Sequence, residues 1–197
     1  PSPHPARVRT PVWLLAGPIV VLLGFGMGFA IGETTGLGQA DDANGRILLA
    51  GDGLGPLRLG MSRSDALDSG WLGEPQETCS DMIGGGAAPG EYAYMLDGPQ
   101  APEGLSGSVE ISDDEITTIG VSKSVAMPNG VTFDSAWDAT RAMETLQSAG
   151  YRVSVTSTFE PEDSATATSP DGAEFGFYFS DARGSASVAI PTMSICD

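Results

Sequence analysis

A chain of 197 residues with 41% hydrophobic content is long enough for one domain with a real core. Its 26 acidic residues outnumber nine basic ones, for a formal net charge of −17. Such a balance repels phosphate backbones and anionic headgroups, so nucleic acid is excluded as an expected partner.

The charge is also unevenly placed. Arg7 and Arg9 precede a long apolar run, and the first acidic residue, Glu33, follows it. Val12 to Ile31 reads VWLLAGPIVVLLGFGMGFAI, 20 residues without a charge. At 1.5 Å per residue a helix of that length spans roughly 30 Å, the thickness of a bilayer's hydrocarbon core. A transmembrane helix is therefore expected over 12–32, after a cytoplasmic tail at 1–11. The basic residues before it and Glu33, Asp41 and Asp42 after it put the N-terminus in the cytoplasm and the acidic remainder outside the plasma membrane. Trp13 falls at the inner boundary, and Pro18 adds a bend in an early turn.

A cleaved signal peptide is the alternative, with Ala30-x-Gly32 as its cleavage site. The run exceeds the usual apolar region of a signal, roughly 7–15 residues, which favours a retained anchor. A chain beginning at Pro1 is also what removal of an initiator methionine would leave. Gly24, Gly28 and Gly32 lie four apart on one helical face, with Gly17 near the same stripe. In lipid, small residues let helix backbones approach closely, so these glycines are the candidate packing face for a partner membrane helix.

Residues 33–45, ETTGLGQADDANG, read as a polar, glycine-rich linker. The domain from 46 to 197 divides by pattern into halves at about 46–126 and 127–197. In the first, Leu57 and Leu59 alternate like a short strand. Ser62 with Asp65 is the capping box of a helix that stops at Gly70. Strand-like runs follow at 91–97, 105–111 and 115–121. In the second half, Val131 and Phe133 alternate, and Asp134 or Ser135 is expected to cap a helix. Ala139, Ala142, Met143 and Leu146 form its apolar stripe and Gly150 ends it. A strand at 151–159 is expected to pair with 173–179 across a turn at Ser169-Pro170-Asp171-Gly172, and 185–191 forms the last strand. The expected fold class is thus one N-terminal transmembrane α-helix plus an extracytoplasmic α+β domain of two similar helix-then-antiparallel-sheet halves.

Two cysteines, Cys79 and Cys196, fall on the acidic side. In an exported domain they favour one disulfide, worth roughly 4–5 kcal/mol in the chain-entropy model, over two buried thiols.

Gly55 to Ala66, GPLRLGMSRSDA, resembles the opening of secreted actinobacterial domains. The doubled helix-plus-sheet layout is similar to β-lactamase-inhibitor-protein and BamE-like folds, a resemblance that implies a binding scaffold. The plan of a single span bearing an acidic, disulfide-capable outer domain resembles accessory subunits of actinobacterial cytochrome bcc–oxidase respiratory supercomplexes. That resemblance implies membrane subunits as partners.

Signs of chemistry are sparse. The only histidine, His4, precedes the apolar run, so the outer domain lacks an imidazole for a nucleophile pair or a metal. No C-x-x-C-H, phosphate loop or other cofactor motif is present. Ser122-Lys123-Ser124 would form a serine–lysine dyad only around a buried, neutral lysine, and a solvated charge is the simpler reading. Asp113-Asp114-Glu115 and Glu160, Glu162 and Asp163 offer oxygen ligands for calcium but lack EF-hand spacing, so solvated turns explain them better. Tyr92 and Tyr94, like Phe175, Phe177 and Phe179, are spaced by two and read as core.

The expected function is a non-catalytic, single-pass accessory subunit of a larger membrane complex, bound through its helix and outer domain, with no catalytic residue, metal or cofactor. The alternative is a secreted or tethered protein-binding or inhibitor module.

Overall fold

The computed structural model describes residues 45–78, 86–159, 162–180 and 183–193. The expected transmembrane helix with Gly17, Gly24, Gly28 and Gly32, and both Cys79 and Cys196, lie outside the described residues. Among the described residues no helix is long and apolar enough to cross a membrane.

Three two-residue strands open the domain, β1 (Leu49–Ala50), β2 (Gly53–Leu54) and β3 (Leu57–Arg58), and pair in sequence order. Helix α1 (Arg63–Asp68) starts where Ser62 leaves the extended region, its hydroxyl accepting the Asp65 N–H at 3.2 Å. Strands β4 (Pro75–Gln76), β5 (Tyr92–Met95), β6 (Gly107–Ser112) and β7 (Glu115–Val121) follow as an antiparallel run. A small pair, β8 (Val125–Ala126) with β9 (Thr132–Phe133), brackets a 3₁₀ turn at Pro128–Gly130. Then come α2 (Ala139–Ser148) and a second antiparallel run, β10 (Arg152–Phe159), β11 (Glu162–Thr168), β12 (Glu174–Ser180) and β13 (Ser185–Ile190).

The two runs do not form separate sheets. Val121, Gly120 and Ile119 of β7 pair with Val188, Ala189 and Ile190 of β13, joining eight strands in the order β10-β11-β12-β13-β7-β6-β5-β4. This corrects the expected fold class. The described residues are mostly β, with helices of only six and ten residues, rather than an α+β domain of two similar helix-then-antiparallel-sheet halves.

One further strand lay hidden in the sequence. β11 reads EDSATAT, polar at every other position with Asp163, Ala165 and Ala167 at the alternate ones, the two alanines buried. Alanine carries little β preference, so the alternation gives no strong strand signal. β11 sits between β10 and β12, where 151–159 and 173–179 were expected to pair directly. α2 also starts later than expected. The Asp134 carboxylate accepts the Ala136 N–H at 3.0 Å and its carbonyl accepts the Trp137 N–H at 2.9 Å, a local turn that leaves capping to Asp138.

One face of the sheet carries the core. Tyr94, Val109, Ile119, Ile190, Val188 and Phe177 alternate inward and meet Ala66 of α1 and Ala142 and Leu146 of α2 in one apolar cluster. Phe133 stands edge-on to Trp137 at 5.6 Å and near Phe177 at 6.2 Å, so residues just before α2 close over the second run of strands.

Candidate functional site: the outward face of the sheet

Side chains alternate across a strand, so residues between the core positions point to the opposite face. Register aligns them in rows. Met95 pairs with Ser108, Ser108 with Gly120, Gly120 with Ala189, Ala189 with Gly176, Gly176 with Thr166, and Thr166 with Ser154. Beside this row lie Ala93, Glu110 and Thr118 on one side and Ser187, Tyr178 and Ser164 on the other. Across these three rows Glu110 is the one charged residue. The remainder are hydroxyl-bearing or small, with Met95 at one end and Tyr178 the one aromatic ring.

The chain after β13 turns back over this face. A side chain at Gly176 would meet the Met193 backbone N at 2.2 Å, so Thr192 and Met193 lie against β12. Between Met95 and Met193, at the seam of the two strand runs, is a hollow of about 180 Å³ with Ser108, Gly120, Ser122 and Ser187 in its lining. A second hollow of about 310 Å³ lies along β5 and β6 among Ala93, Glu110, Ser112 and Thr117, with Glu91 at its edge. A third, of about 110 Å³, sits by the start of α2 among Trp137, Asp138 and Phe179, with Ser180 in its lining. Among the described residues the buried Ser180 hydroxyl has no hydrogen-bond partner.

The edge of the face is braced from the core side. The Arg63 guanidinium stacks 3.6 Å from the Tyr92 ring centroid, and its Nε donates to the Tyr94 hydroxyl at 2.9 Å. That hydrogen bond raises the Arg63 pKa above its ordinary value. The Arg63 backbone N–H donates to Asp114 at 2.8 Å, tying α1 also to the β6–β7 turn.

The residues singled out from sequence for chemistry are not brought together. Lys123 is exposed, with Ser122 and Ser124, in the loop after β7, which lacks the burial a serine–lysine dyad requires. Asp113 and Asp114 have φ of 52° and 67° and make the two-residue turn between β6 and β7, with Glu115 beginning the next strand. Glu160 lies outside the described residues, while Glu162 and Asp163 open β11. Among the described residues no group of three or more acidic, histidine or cysteine side chains could hold a metal. Tyr94, Phe175, Phe177 and Phe179 are buried, and Tyr92 is partly buried beneath Arg63.

Sequence reasoning missed the outward face. The alternation of SVEIS in β6 hinted at it, but the rows exist only once eight strands are in register. Fold and site together define a mostly-β domain that displays a hydroxyl-lined sheet face with little charge in its central rows. No protein family, curated protein or solved structure matches the chain.

Proposed function

We propose that the domain is a non-catalytic protein-binding module whose outward sheet face docks on another protein. Joined to the anchor expected over 12–32, it would serve as an accessory subunit of a membrane assembly. Released from it, it would be a secreted binder, and the same face serves either case.

The observation that carries this reading is the sparse charge in the central rows of the face, which a row bearing exposed Arg152 and Glu174 borders on β10 and β12. A chain with 26 acidic residues places one carboxylate in three rows spanning much of the sheet. Charge depletion marks the buried centre of protein interfaces, where an unpaired carboxylate would be costly to desolvate. Serine, glycine and tyrosine supply adaptable hydrogen bonding and rigid contact area at low entropic cost. The acidic surroundings favour a basic partner surface, which would speed encounter and make it salt-dependent.

The test is site-specific photo-crosslinking in cells, with the reactive residue placed at Thr166 or Tyr178 on the face, or at Glu144 on the exposed side of α2. A crosslink to one identifiable protein from Thr166 and Tyr178, and none from Glu144, is expected. Equal labelling from all three positions would overturn the reading.

A further inference from the structure

Gly120 is a glycine that the fold does not demand. It sits inside β7 with a backbone any residue adopts, and among the described residues a Cβ there would make only ordinary contacts, the nearest 3.5 Å from Ser108 Oγ. Its neighbours differ. A Cβ at Gly107 would fall 2.0 Å from the Gly120 carbonyl oxygen, and one at Gly176 would strike the backbone of Met193. Those two must be glycine for packing. Gly120 instead weakens its strand with no local return, and such a residue marks a place where something else approaches.

What its missing side chain leaves open is the seam hollow. Met95 and Met193 flank it, both half-buried, and Ser108 and Ser187 line it with hydroxyls. At about 180 Å³ it falls below the roughly 300–1,000 Å³ of small-molecule and cofactor sites, so a single side chain is the better fit. The named lining side chains carry no charge, which disfavours a cation or a carboxylate as occupant. Methionine thioethers adapt their shape and make favourable contacts with aromatic rings. A second copy of this chain is a poor candidate, because its own excess of acid would repel at close range.

We propose that the hollow over Gly120, between Met95 and Met193, is the anchor pocket for an aromatic side chain of a protein partner whose surrounding surface is basic. The inference rests on the sheet face being the docking surface.

The test uses indole, as a tryptophan side-chain analogue, titrated into the isotope-labelled full chain and followed by NMR. Saturable shifts are expected at the Met95 and Met193 methyls and the Ser108, Gly120 and Ser187 amides. They should weaken in Gly120→Ala and vanish in Gly120→Leu, and the Ala variant should unfold at an unchanged or higher temperature. Shifts elsewhere only, or shifts unchanged in a folded Gly120→Leu, would overturn the pocket. The same variants separate the two levels of the proposal. A face-specific crosslink that survives Gly120→Leu overturns the pocket while the docking face stands. Absence of any face-specific crosslink overturns the docking face and, with it, the pocket.

Discussion

Single residues in this domain combine jobs that sequence shows only one at a time. Tyr151 follows the helix-ending Gly150 and looked like a strand residue, yet its ring is buried and its hydroxyl donates to the Pro128 carbonyl at 2.8 Å. Burial, and secondarily the negative charge of Asp171, push its pKa from the usual 10 up to about 12. The sign follows from linkage. The folded state holds the Tyr151 proton more tightly than the unfolded chain. The resulting stability is therefore fully present below pH 10 and lost as pH rises from 10 through 12. In Tyr151→Phe this alkaline loss should become shallower. At neutral pH the variant should cost about 1 kcal/mol for the missing hydrogen bond. Urea unfolding at a series of pH values reads both effects, and an identical alkaline slope in the variant would show that Tyr151 does not titrate as described. Asp113 and Asp114 read from sequence as a solvated turn in preference to a calcium site, and positive φ at both places them in the two-residue turn between β6 and β7, a role aspartate tolerates through its short polar side chain.

At the scale of elements, short-range signals located starts and stops well. Ser62 caps α1 as its spacing to Asp65 suggested, and Gly70 and Gly150, with φ of 70° and 86°, stand where the helices end. The cap of α2 was less legible because Asp134, Ser135 and Asp138 all have the right chemistry, and only the Asp134 turn decides among them. The Asp138 carboxylate accepts the Arg141 N–H at 2.7 Å, so Asp138→Ala should destabilise the domain by about 1 kcal/mol and Asp138→Asn by much less. A shift in the urea midpoint measures this, and equal loss in both variants would point to a role other than capping. β11 escaped notice for the opposite reason. Its inward residues are alanines, small because the large Phe175 and Phe177 stand opposite them in register, and a small residue leaves no hydrophobic trace.

For the whole molecule the decisive feature is the seam. Three register pairs between β7 and β13 make two strand runs into one sheet, and one apolar cluster draws from both sides of it. A contact elsewhere also bridges the expected halves. Arg46 of the first half donates to the Thr132 hydroxyl of the second at 2.6 Å. The domain should therefore unfold in one cooperative transition, with calorimetric and van't Hoff enthalpies equal. Residues 46–126 and 127–197 expressed separately should each remain largely unfolded. Two resolved calorimetric transitions, or a stable isolated half, would show that the shared core is not what holds the domain together.

Sequence by itself determined what depends on neighbours in the chain. It showed the charge asymmetry, the uncharged run at 12–31, most strand and helix positions, the cap of α1, and the absence of histidine beyond the tail. These follow from periodicity, backbone preference and counting, which need no knowledge of distant contacts. Only the tertiary structure decided that the strands form one sheet. It alone decided which of two similar polar alternations faces outward, and that Gly120 lies between Ser108 and Ala189 above an open hollow. Those properties belong to register between residues tens of positions apart, and a period of two within a strand carries no information about which strand lies beside it.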